Sequence, residues 1–227
     1  MRHCIRPLER RRWLAALVTA QGLFTPSFAQ IPPGERPPRE SPGISAAAKI
    51  DLRLTADLRL GDLRVEFGKT GLRTVGQDMH NLVIGHTPEK GAESGLSWLC
   101  FTVVRNSYAE RWWLMSDDEF GGAPEYAITR VFAQRVKPSV APTATCPEPS
   151  PKFLPARLDE RLWVGSRAAE IDRVIGRKPL STGWHRYSNV STQTDSHGTE
   201  RVVRSWLDVK VEAGAIVAIR AMQMSSF

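Results

Sequence analysis

The stretch RVVRSWLDVKVEAGAIVAIRAMQM (Arg201–Met224) sets the architecture of the C-terminal third of this chain. β-Branched and aromatic residues dominate on both sides of Ala213-Gly214, the composition of two strands separated by a turn. Upstream, TDSHGTE (Thr194–Glu200) reads as a hairpin tip, and WHRYSNVST (Trp184–Thr192) as a third strand. Before these comes a short helix. Ser166 can cap it, Ala168, Ile171, Val174 and Ile175 form its apolar stripe, Gly176 stops it and Pro179 follows.

The first half follows the same order. RWWLMS, a Gly-Gly turn and ITRVFA echo RSWLDV, Ala-Gly and IVAIRA, which sets Trp113 against Trp206, Ile128 against Ile216 and Gly68 against Gly165. LSWLCFTVV (Leu96–Val104) and YAITRVFAQRV (Tyr126–Val136) are further strands. In LRLGDLRVEF (Leu58–Phe67) the apolar phase flips across Gly61-Asp62, as a two-residue hairpin turn requires. That register pairs Leu60 with Leu63 and Leu58 with Val65, and sets Arg59 opposite Arg64. Thr70 then caps a helix whose inner face is Leu72, Val75 and Met79. The expected fold class is α+β: two small units, residues 49–136 and 157–227, each a short helix packed on an antiparallel sheet.

Residues 162–224 carry a resemblance. Val164-Gly165, Gly176 at the helix end, the aromatic strand Trp184–Tyr187 and Gly214 between the last strands match the β-lactamase-inhibitor-like fold. That fold includes the BamE-type (SmpA/OmlA) outer-membrane-assembly lipoproteins. Tandem copies of that fold imply a protein-binding or cell-envelope-associated module without catalysis.

Gly68-Lys69-Thr70 has the ending of a phosphate-binding loop, but that loop needs a glycine five positions before its Gly-Lys-Thr, and Leu63 stands there. A hairpin would also spend the backbone amides on strand pairing. Nucleotide binding is therefore not expected.

Residues 1–29 have the form of a secretory signal. Five arginines precede the apolar core WLAALVTAQGLF, and Ser27-Phe28-Ala29 predicts cleavage between Ala29 and Gln30. The core is too short to span a bilayer, so the mature chain should have no transmembrane anchor. The full chain carries +7; removing five Arg and one Glu leaves about +3. That balance gives little support for nucleic-acid binding. Periplasmic or secreted location follows. Two proline-rich stretches, 30–48 and 137–156, read as a disordered arm and a linker.

Cys4 precedes the apolar core, so it cannot be the lipidated cysteine of a lipoprotein. The remaining Cys100 and Cys146 are expected to pair in an oxidising compartment, stapling the linker onto the first unit. Closing that loop is worth about 4 kcal/mol in the chain-entropy model.

Candidate chemistry is sparse. There is no Gly-x-Ser-x-Gly, His-Glu-x-x-His or Cys/His cluster. His80 and His86 are expected on a solvated loop, and Asp117, Asp118 and Glu119 in a solvated turn. His185 and His197 flank different strands with nothing to orient either ring. Neither a catalytic residue, a cofactor site nor a metal site is expected. The predicted function is an exported, non-enzymatic module binding a protein or cell-envelope component; the alternative is a periplasmic hydrolase or carbohydrate-active protein whose site assembles only in space. Adjacent Trp112 and Trp113 point to opposite faces of their strand, so both are buried only if both sheet faces are covered. In GWHRYSNV, Trp184 and Arg186 point one way and Tyr187 the other. These three are the candidate partner-binding residues, since Trp, Tyr and Arg most often dominate binding energy.

Overall fold

A computed structural model describes residues 35–38, 47–50, 57–80, 82–88, 95–117, 126–137, 139, 142–158, 162–176, 182–194 and 198–226. Residues 31–227 form one compact unit. The expected cleavage point, Ala29 and Gln30, lies outside the described residues.

Strands dominate. β1 is Ala48–Lys49, β2 Asp57–Leu60, β3 Leu63–Glu66, β4 Gly85–Pro88, β5 Gly95–Val104, β6 Ala109–Asp117 and β7 Arg130–Val136. After these come β8 (Ala156–Arg157), β9 (Gly183–Thr194), β10 (Glu200–Glu212) and β11 (Ala215–Ser226). Two seven-residue helices, α1 (Leu72–Asp78) and α2 (Ala169–Ile175), precede the two series of long strands.

The expectation of two separate helix-on-sheet units is overturned. Eight strands make one mixed sheet in the order β1-β9-β10-β11-β7-β6-β5-β4, and β3-β2-β8 make a second, three-stranded sheet. The joint is the antiparallel pairing of β11 with β7, from Ala218↔Gln134 to Met222↔Arg130. Each half ends in a strand with one unpaired edge, and pairing those edges satisfies both backbones. The same pairing aligns Val131 and Ala133 with Ile219 and Ala221 in the buried core. Local periodicity says nothing about which strand an edge will choose.

The halves are stitched alike. Gly68 N–H donates to Ile128 O, and Ile128 N–H to Thr70 O; Gly165 N–H donates to Ile216 O, and Ile216 N–H to Ser166 O. Tyr126 O accepts from Leu72 as Gly214 O accepts from Ala168. Phe132 and Arg220, equally far along their strands from Ile128 and Ile216, pair with each other. Trp113 pairs with Phe132 and Asp208 with Arg220. The structural counterpart of Trp113 is thus Asp208, and that of Trp206 is Arg111, two residues away from the match suggested by the sequence.

These loops also explain why the expected caps fail. Thr70 Oγ1 accepts from Glu66 N–H (2.9 Å), and Ser166 Oγ donates to Trp163 O (2.8 Å). Both hydroxyls close the turn that docks on the sheet, and neither helix has a side-chain cap. The helix stop at Gly176 is as expected, in a left-handed conformation with φ 71°. So is the hairpin register, with Leu60↔Leu63, Leu58↔Val65 and Arg59↔Arg64. Gly61 at its turn has φ 58°, and a Cβ there would strike the Lys152 carbonyl.

The main core lies on the inner face of the large sheet, where α1, α2 and the three-stranded sheet pack through Leu72, Val75, Ile171, Ile175 and Leu58. The outer face holds a second core of Trp98, Cys100, Trp113, Met115, Phe132, Cys146 and Ala218. Trp112 and Trp113 are each 1% exposed, so both faces are covered here. The cover is the stapled linker. Cys100 and Cys146 form a disulfide, and Thr102 N–H and Oγ1 donate to Pro147 O (2.9 Å) and Cys146 O (3.0 Å). The linker then continues into β8, which pairs with β2. Among the described residues no helix is long and apolar enough to cross a membrane. That and the disulfide are compatible with an exported protein.

Candidate functional site

β9 runs between β10 and the short parallel strand β1. Alternation sends its residues to two environments. Tyr187 faces inward and is 4% exposed, in the core with Leu207 and Ile171. Trp184 and Arg186 face outward and are half-buried. Of the three candidate residues, the fold therefore brings Trp184 and Arg186 together and puts Tyr187 on the other side of the sheet.

Arg186 is oriented by its cross-strand partner. Its Nε and Nη2 donate to Asp208 Oδ1 (2.6 Å) and Oδ2 (2.8 Å). Asp208 is 1% exposed, and Arg220 lies 3.9 Å from its Oδ2. Two cations flanking one carboxylate compensate its burial, since an unpaired charge there would be costly. The Arg220 guanidinium lies 5.3 Å from the Phe132 ring centre and 5.9 Å from that of Trp184. Phe132 also stacks on Trp113, with centroids 5.6 Å apart.

Trp184 projects into a cleft of about 540 Å³ where the β7–β11 pairing stops. Its lining combines apolar Phe132 and Ala218 with polar Gln134, Lys210 and Lys137, and Pro38 of the arm also lines it. Lys210 pairs with Glu212 at 2.6 Å. Tyr108 is a further lining residue. Its hydroxyl donates to Val164 O (3.3 Å), and Arg135 lies 4.4 Å above its ring. Burial, helped by the nearby Glu110 carboxylate, raises the Tyr108 pKa above that of a free phenol, so the hydroxyl stays protonated. A lining that combines a tryptophan and other apolar groups with an amide and cations is suited to binding, with orientation set by a few polar groups.

A second feature of the outer face could not be read from the sequence. Glu35, in the proline-rich arm, is held against β6. Arg111 Nη1 donates to both of its carboxylate oxygens, and Trp113 Nε1 donates to its carbonyl (2.9 Å). Its own N–H donates to Thr145 O (3.3 Å). Pro37 is buried beside it. Farther along the arm, Ala48–Lys49 pair with β9. The only hint was composition: an acid among prolines, with an arginine next to Trp112-Trp113.

The other candidates stay apart. His86 Nδ1 lies 3.0 Å from Ser97 Oγ, and His80 has a positive φ at the end of α1. Asp117 pairs with Arg130 at 2.6 Å; Asp118, Glu119 and His197 lie outside the described residues. Among the described residues no three His, Cys, Asp or Glu side chains group as a metal site would. No protein-family model matches the chain, and neither a curated protein nor a solved structure matches it significantly.

Proposed function

We propose that this chain is an exported, non-enzymatic binding module that engages a protein or cell-envelope component through the outer face of its large sheet. The observation that carries this reading is the cleft beside Trp184. A half-buried tryptophan lies 6.5 Å, ring centre to ring centre, from Phe132 and shares the cleft lining with Ala218, Gln134 and Lys210, a combination of aromatic and polar groups found at binding hot spots. Arg186, on the same strand face, is held by Asp208. Export in this reading begins with cleavage between Ala29 and Gln30, and the mature protein is periplasmic or secreted. Kinship with β-lactamase-inhibitor-like and BamE-type proteins belongs to the same proposal.

The test is affinity capture from envelope extracts with the wild-type chain and with Trp184→Ala. The expected result is a partner retained by the first and lost by the second, while both unfold at similar temperatures. Capture unaffected by Trp184→Ala would reject the cleft as the site. N-terminal sequencing of the exported protein should begin at Gln30; a product retaining Met1 would reject export.

A further inference from the structure

We infer that the groove of Arg111, Trp113 and Thr145 is a recognition site for a glutamate in an extended, proline-flanked peptide, and that Glu35 occupies it in cis as a stand-in for a partner segment. The inference rests on contacts at Glu35 and not on the Trp184 cleft.

Every hydrogen-bonding part of Glu35 is read. The carboxylate meets Arg111, the carbonyl accepts from the Trp113 indole, and the amide donates to the Thr145 carbonyl. Recognition of side chain and both main-chain groups specifies residue type and an extended backbone together. The receptor atoms are pre-organised. The Arg111 side chain is 7% exposed, and its Nε donates to Thr102 Oγ1 at 3.3 Å. Thr102 is bonded in turn to the Cys146 carbonyl. The Cys100–Cys146 disulfide thereby ties down the segment that carries the neighbouring Thr145 carbonyl. Pro37, next but one to Glu35, is buried, and Pro38 lines the Trp184 cleft. A peptide following this track would run from the arginine toward the cleft.

The counterpart of Arg111 in the second half is Trp206, and that of Trp113 is Asp208. The second half lacks the cation and the indole donor at these places, so the chemistry is particular to the first half. A tether holds Glu35 at an effective concentration on the order of millimolar. An incoming segment must outcompete it, which makes the arm a built-in competitor.

The probe is a synthetic peptide of residues 31–38, IPPGERPP, with a second peptide carrying Gln in place of Glu. The receptors are the oxidised full mature chain, its Glu35→Ala variant, and a full-length variant with residues 35–38 replaced by Gly and Ser. Binding is read from the Trp113 indole N–H resonance. The expected result is that both released variants bind the Glu peptide at least ~10-fold tighter than the wild-type chain does, because the tethered competitor is gone. The Gln peptide should bind at least ~10-fold more weakly, the loss of one charge-assisted contact. Equal binding of the Glu and Gln peptides, or no binding to the Gly/Ser variant at about millimolar peptide, would overturn the inference. Arm exchange between wild-type chains, seen as a concentration-dependent dimer lost in Glu35→Ala, would assign the groove to a second copy and overturn the partner-segment reading.

Discussion

Phe132 of β7 stands directly opposite Arg220 of β11, and the guanidinium lies 5.3 Å from the ring centre. The two residues occupy equivalent places in the two halves of the chain. In the first half the place holds an aromatic pair, Phe132 on Trp113; in the second it holds an ion pair, Arg220 beside Asp208. Where the halves meet, the cation of one lies over the aromatic ring of the other, an attraction of about 0.5–2 kcal/mol.

Asp208 is the carboxylate on which this arrangement depends. Asp208→Ala would leave Arg186 and Arg220 without their buried counter-charge, and should destabilise the protein by about 3–5 kcal/mol. Urea unfolding at neutral pH measures this. An unchanged midpoint would show that other partners suffice for both arginines.

The seam between β7 and β11 joins the two halves in one sheet, so each should depend on the other. Residues 157–227 expressed alone would expose the β11 edge from Ala218 to Met222. Such a fragment should self-associate or lack a cooperative unfolding transition, because a long exposed edge is a template for pairing. Sedimentation and thermal unfolding of the fragment decide this; a stable monomer with a sharp transition would contradict it.

Trp184 and Tyr187 should separate binding from stability. Tyr187→Ala removes a ring from the main core and should cost about 3–5 kcal/mol. Trp184→Ala acts at a half-buried position and should cost clearly less, while weakening a partner by about 2 kcal/mol or more if the ring is a hot spot. Comparing the two unfolding midpoints, then the two affinities, checks the assignment of faces.

Opening the disulfide should loosen the cover over Trp113. The double variant Cys100→Ser with Cys146→Ser should lose about 4 kcal/mol, the chain-entropy value for this loop. Non-reduced mass spectrometry of the wild-type protein should show two fewer hydrogens than the reduced form and no alkylation. Faster exchange of the Trp113 indole proton in the variant would locate the loss at the outer face.

Much of the local structure was legible in the residues. The hairpin register at Leu58–Val65 and Leu60–Leu63 follows from alternation and a Gly-Asp turn, which involve only neighbours in sequence. The end of α2 at Gly176 follows from the freedom of glycine at positive φ. Pairing of Cys100 with Cys146 follows from these being the two cysteines left once residues 1–29 are read as an export signal. The split of Trp184 and Arg186 from Tyr187 follows from the period of a strand. Which of these faces would be covered did not follow, because cover comes from other parts of the chain.

Tertiary structure alone decided the rest. Strand period establishes which side chains share a face, but any compatible open edge can complete a ladder, so the union of β7 with β11 required the folded chain. Thr70 and Ser166 have the chemistry of helix caps, yet the contacts that dock their turns onto Ile128 and Ile216 take their hydroxyls elsewhere. Glu35 lies in a proline-rich arm with too little apolar surface to order itself; its order comes from Arg111, Trp113 and Thr145, three residues distant in sequence. Sequence determined the elements because their causes are local. The single sheet, its covered outer face and the occupied glutamate groove depend on long-range pairing, and only the folded chain brings those partners together.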